Sequence, residues 1–156
     1  MQKTITAFIL FTIIFNAACH KKNGNYTNKS KNTPVVANVK SSEIKNLIVD
    51  PNVNINQTGS EYVIDSVKIN NDILSLFVNY SGGCKTHSFE LYTNAAYGKS
   101  LPPQEWVVLK HKSNDDACRQ LISEELKFNI SQLQHKGQNI ITINIGNKQR
   151  VNYSYK

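Results

Sequence analysis

A chain of 156 residues, with 40% hydrophobic and 19% charged residues and a formal charge of +7, has apolar content enough for one buried core. Those proportions exclude a disordered polyelectrolyte. The lysines are scattered rather than stacked on one segment, which argues against a nucleic-acid partner. No Gly-x-Ser-x-Gly, phosphate loop, dinucleotide fingerprint or His-Glu-x-x-His motif occurs.

The chain opens with Lys3, then an apolar run from Ile5 to Phe15, then Asn16-Ala17-Ala18-Cys19. The run is too short for a permanent membrane helix and closes on two small residues, the layout of a cleaved export signal over 1–18. The segment resembles a bacterial lipoprotein signal, in which the cysteine takes a lipid, palmitate among its acyl chains, and becomes the new N-terminus. Asn16 and Phe15 depart from the residues usual at their positions. The resemblance implies that Cys19 ties the protein to the outer membrane. Cleavage would leave 138 residues with a charge of +6, a surplus that favours anionic envelope components such as lipid headgroups. Lys21 and Lys22 would sit at headgroup level. Acidic residues at those positions direct some similar lipoproteins to the cell surface, so basic ones favour the periplasm-facing side.

From Cys19 to about 45 the chain is rich in Lys, Asn, Ser and Thr and reads as a flexible tether before a domain over 46–156. Asparagine makes up about one residue in eight. Triplets such as Asn79-Tyr80-Ser81 follow from that composition and carry no expected glycan. Ser42 to Asp50 fits a short helix, and Leu47-Ile48-Val49 before Asp50-Pro51 fits an edge strand equally well. Tyr62–Ile69 and Asp72–Tyr80, joined through Asn70-Asn71, predict a hairpin, since asparagine tolerates the positive φ of a tight turn. Leu74, Leu76, Val78 and Tyr80 alternate with polar residues in the second strand. His87, Phe89 and Leu91 share one face of the next strand. Pro102-Pro103 precedes another, in which Val107, Leu109 and His111 share a face and Trp106 lies on the other. Leu126, Phe128 and Ile130 alternate before a single helical turn from Ser131 to Gln134. Ile141, Ile143 and Ile145, a Gly146-Asn147 turn, then Val151, Tyr153 and Tyr155 complete the chain. Tyr92, Tyr97, Tyr153 and Tyr155 read as residues that close the sheets. About seven short strands with no crossover helix predict an all-β fold, an antiparallel β-sandwich of Ig-like or Greek-key type.

Chemistry concentrates in Cys84-Lys85-Thr86-His87 and in His111 to Cys118. Cys84 and Cys118 are the cysteines left once Cys19 is lipidated, and an even pair in an exported domain is read first as a disulfide. The alternative is a metal site of Cys84, His87, His111 and Cys118, which together could fill a tetrahedral shell for zinc or copper. A third reading makes Cys84 a nucleophile with His87 or His111 as its base, although no oxyanion-hole loop is legible. Asp115-Asp116 could ligate calcium but fits a solvated turn equally well.

The set Gly82-Gly83-Cys84-x-x-His87-x-Phe89-x-Leu91, Val107-x-Leu109-x-His111, Asp116, Cys118 and Leu126-x-Phe128-x-Ile130-Ser131-x-Leu133 resembles small bacterial lipoproteins, the NigD-like lipoproteins among them. That resemblance covers about 60–155. It implies an envelope β-sandwich and brings no catalytic residue and no cofactor. The expectation is therefore a non-enzymatic, lipid-anchored binding or structural module, with metal binding as the runner-up and a thiol enzyme a distant third.

Overall fold

The computed structural model describes residues 40–146 and 149–156, with side chains from Glu43 onward. The export signal, Cys19 and most of the expected tether lie outside the described residues. Nine strands form, β1 (Lys40–Asn46), β2 (Ile48–Val49), β3 (Val63–Asn70), β4 (Ile73–Gly82), β5 (Ser88–Gly98), β6 (Gln104–Lys112), β7 (Gln120–Asn129), β8 (Ile140–Ile145) and β9 (Gln149–Ser154). A single 3-10 turn, Ser131–Leu133, separates β7 from β8. One sheet has the order β1-β7-β4-β3 and the other β2-β5-β6-β8-β9.

The alternation read in the sequence builds the core between these sheets. Leu74, Leu76 and Val78 of β4 and Leu126 and Phe128 of β7 are at most 2% exposed. They share one cluster with Phe89, Leu91, Val107, Leu109, Ile141, Ile143 and Tyr153. Burying each such side chain contributes about 1.5–3 kcal/mol. The first hairpin turns one residue later than expected, with Asn70 paired to Ile73 and Asn71 taking φ +51°. The 3-10 turn is preceded by Ile130, which offers no side-chain cap, and the Ser131 N–H bonds the Asn129 side chain at 3.0 Å.

The sandwich is present, but its sheets are mixed rather than wholly antiparallel. β1 runs parallel to β7, β2 to β5, and β6 to β8. Parallel neighbours need a crossover, and a helix is its usual form. Here strands of the opposite sheet do that work: β7 carries the chain from β6 to β8, and β3 and β4 carry it from β2 to β5. The strand count exceeds the expected seven through the two edge strands, β1 with seven residues and β2 with two. Glu43 to Asn46 of β1 are exposed, and a strand that buries no face shows no alternation to read.

The burial pattern generates a simple contrast. Phe128→Ala should lower unfolding free energy in urea by about 3–5 kcal/mol. Leu121→Ala, at a side chain 72% exposed, should change it by about 0.5 kcal/mol or less.

Candidate functional site

β6 places a row of side chains in the interior, Glu105, Val107, Leu109 and His111, and the polar groups stand at its two ends. At the His111 end, β4 terminates in Gly82-Gly83 and β5 starts just after His87. The loop from β6 to β7 brings Asp116 and Cys118 back to that turn. Cys84 and Cys118 form a disulfide with a Cα–Cα distance of 5.8 Å and a sequence separation of 34. Closing a loop of that length stabilises the fold by about 3–4 kcal/mol on the chain-entropy account.

The side chains of His87 and Asp116 are 2% and 0% exposed. Asp116 Oδ2 accepts the amide N–H of Cys84 at 2.9 Å and of Lys85 at 2.8 Å, while Oδ1 accepts that of Cys118 at 2.9 Å. His87 Nε2 reaches Oδ2 at 3.2 Å. On its other side His87 Nδ1 lies 2.8 Å from His111 Nε2, and His111 Nδ1 lies 3.1 Å from the carbonyl oxygen of Glu61. A carbonyl and a carboxylate only accept, so His111 donates from Nδ1 to Glu61 and His87 from Nε2 to Asp116, and the bond between the two rings takes one further proton. The chain of contacts runs carboxylate, imidazole, imidazole, carbonyl. Aromatic rings enclose it: Phe89 stacks on His111 at 4.2 Å, and Tyr80 lies 4.7 Å from His87 and 5.1 Å from His111.

These surroundings set the titration of both ends. The Cys118 amide, followed by those of Lys85 and Cys84, holds the Asp116 carboxyl well below the usual carboxylate range. Burial lowers the His111 pKa, and the adjacent His87 lowers it further against the hydrogen bond to Glu61. Gly82 is required by packing, because a Cβ there would lie 2.5 Å from His87 Nε2.

The structure therefore brings together all four residues of the expected Cys/His set, but as a disulfide beside a histidine pair rather than as a tetrahedral shell. The Cys84 sulfur is bonded to that of Cys118, so no free thiolate faces either histidine. Asp116 binds backbone amides instead of standing in a solvated turn, whereas Asp115 is exposed. Trp106 is half-buried, its ring edge within 3.0 Å of where a Gly98 Cβ would sit.

Sequence reasoning missed the opposite end of the β6 row. Glu105 is buried, and its Oε1 lies 2.6 Å from His135 Nε2. The other carboxylate oxygen, Oε2, is buried without a hydrogen-bond partner among the described residues. Desolvation raises the Glu105 pKa against the opposing influence of His135. The available signal was parity, since Glu105 falls on the same face as Val107, Leu109 and His111. A crevice of about 660 Å³ opens where the sheet edges β3 and β9 face each other, sharing Tyr80 and Glu61 with the histidine end. Tyr62, Ile64, Tyr80 and Ile145 line it, with Val63 and Leu121 at its rim.

Two outcomes test the histidine end. Gly82→Ala should destabilise the fold by about 1–3 kcal/mol, because the added methyl displaces His87. Urea unfolding across pH tests His111. Its folded pKa is lowered, so the unfolded chain binds the proton more tightly; stability is full above about pH 6.5 and falls as pH drops below it. The difference between wild type and His111→Gln over that window should isolate this effect from Glu105, whose raised pKa acts with the opposite sign.

No family model matches the chain, and no curated protein matches it in sequence. Solved structures do share its fold. A NigD-like immunity protein from Bacteroides caccae ATCC 43185 superposes with a TM-score of 0.52 at 13% identity, over 72% of this chain and 59% of that one. A protein of unknown function from Bacteroides vulgatus ATCC 8482 superposes with a TM-score of 0.51 at 12% identity, over 72% of this chain and 57% of that one. The chain thus spans less than three-fifths of the length of either. The resemblance to NigD-like proteins drawn from the Cys/His and strand pattern meets a NigD-like protein in the fold: two mixed sheets packed as an open sandwich.

Proposed function

We propose that this protein is a non-enzymatic binding module of the bacterial envelope, tethered by a lipid on Cys19 and facing the periplasm. The crevice between β3 and β9 is its contact surface in this reading. The observation that carries it is the division of labour in the fold. The groups able to do chemistry at the His111 end are engaged with one another, whereas the crevice offers an apolar floor of about 660 Å³, a size suited to recognition. Val63 and Leu121 on its rim are 63% and 72% exposed. Large apolar side chains grouped beside a concave surface mark contact sites. The Bacteroides caccae neighbour is described as an immunity protein, and a comparable role here would make the occupant a protein. The positive charge would add attraction to anionic headgroups.

Photocrosslinking in intact cells tests this reading. A benzophenone amino acid at Val63 or Leu121 should give a discrete adduct that is absent when the probe sits at Asn152, on the outer face of β9. The same cells labelled with palmitate should show incorporation lost in Cys19→Ser, with the protein leaving the membrane fraction. Equal adducts from all three positions, or none from the rim, would remove the crevice from consideration. Unchanged labelling in Cys19→Ser would remove the anchor.

A further inference from the structure

We propose that the reduced form of this protein holds a thiophilic divalent cation at the Cys84–Cys118 turn, with the two thiolates and His87 Nε2 as its protein ligands. The disulfide covers this site. A cysteine pair usually loses its geometry once the sulfur–sulfur bond is cut. Here a second link joins the same two residues, because one carboxylate accepts the backbone N–H of Cys84 on Oδ2 and of Cys118 on Oδ1, both at 2.9 Å. That link survives reduction. The Cα–Cα distance of 5.8 Å then leaves room for two sulfurs, each about 2.3 Å from one ion, by side-chain rotation alone.

The third ligand stands one contact away: His87 lies outside the set formed by the two sulfurs and the Asp116 carboxylate, and it joins the ion as the freed sulfurs rotate toward Nε2. His87 Nε2 and an oxygen of Asp116 are 3.2 Å apart, and that carboxylate and both sulfurs lie within 4.8 Å of one another. Metal-bound imidazoles characteristically give their other N–H to a fixed acceptor, which sets tautomer and ring orientation. His111 is that acceptor at 2.8 Å, itself fixed by the Glu61 carbonyl. Gly82 carries no Cβ, so the His87 ring packs directly on its backbone. Thus the set differs from a simple two-cysteine, two-histidine shell: His111 supports His87 and does not touch the ion. The reductant is a dithiol, and Cys84 is exposed to meet it. The dithiol gives up two electrons and becomes a disulfide, and its two protons pass to the Cys84 and Cys118 sulfurs. Binding of the cation then releases both thiol protons to solvent, and the proton by which His87 Nε2 bonds Asp116 leaves with them.

Cobalt(II) is the probe for the test, added to full-length Cys19→Ser protein in detergent after reduction by a phosphine and its removal without air. Expected are native circular dichroism, one cobalt per chain, a sulfur-to-cobalt charge-transfer band and at least two protons released. The oxidised protein should show no such band, and His87→Gln should weaken cobalt binding at least tenfold. Should that variant not fold, cadmium-113 in the reduced wild type should show scalar coupling to the His87 ring protons. Loss of the fold on reduction, absence of the charge-transfer band, or His87→Gln binding cobalt as tightly as wild type would each overturn the assignment. So would cadmium bound without coupling to His87.

Discussion

A carboxylate shut away from water must find its hydrogen bonds within the chain, and Asp116 finds them on three strand ends at once. Its side chain is fully excluded from solvent, yet it accepts the amides of Cys84, Lys85 and Cys118 and the ring of His87. Charge-assisted bonds of this kind are about twice as strong as neutral ones. They fix the β4–β5 turn against the β6–β7 loop in the same place as the disulfide. The histidine pair inherits its order from that carboxylate, because His87 is held on one side by Asp116 and meets His111 on the other. One anion therefore sets the geometry of the whole end of the sandwich.

β6 shows how the fold tolerates polar groups beside an apolar core. Val107 and Leu109 fill the middle of its inward row, and titratable groups stand only where the row reaches an end of the sandwich. At one end His111 is satisfied through His87 and Glu61. At the other Glu105 is satisfied on Oε1 by His135 and left open on Oε2. The crossovers explain why the sandwich has an open side. Parallel neighbours are linked through the opposite sheet, so the two sheets are laced together by the chain, while β3 and β9 end the sheets as edges. The crevice forms along those edges, beside the stapled end loops, and Tyr80 lines it while also packing on both histidines.

Much of this was legible because alternation is local. Leu74, Leu76, Val78, Phe89, Leu91, Leu126 and Phe128 declared a half-buried strand by their own spacing, and each proved buried. Even the direction of His87 and His111 followed from counting residues along a strand. Asp116 was not legible, since a carboxylate in an Asn-Asp-Asp stretch looks the same whether it faces water or a cysteine turn. Glu105 was legible in principle by its parity with Val107 and was overlooked. β1 and β2 were hard to read because edge strands bury little, and the parallel pairings because no helix announces a crossover.

The sequence by itself determined the fold class, the hydrophobic faces, Cys84 and Cys118 as candidate pairing partners, and the expectation of an exported chain. Those are consequences of nearest-neighbour spacing and of compartment chemistry. Only the tertiary structure decided which strands run parallel, which carboxylate closes the cysteine turn, and that the two histidines bind each other before they bind anything else. Those outcomes depend on groups 24 to 50 residues apart in the chain, and the separation of such groups in space is set by how the sheets pack.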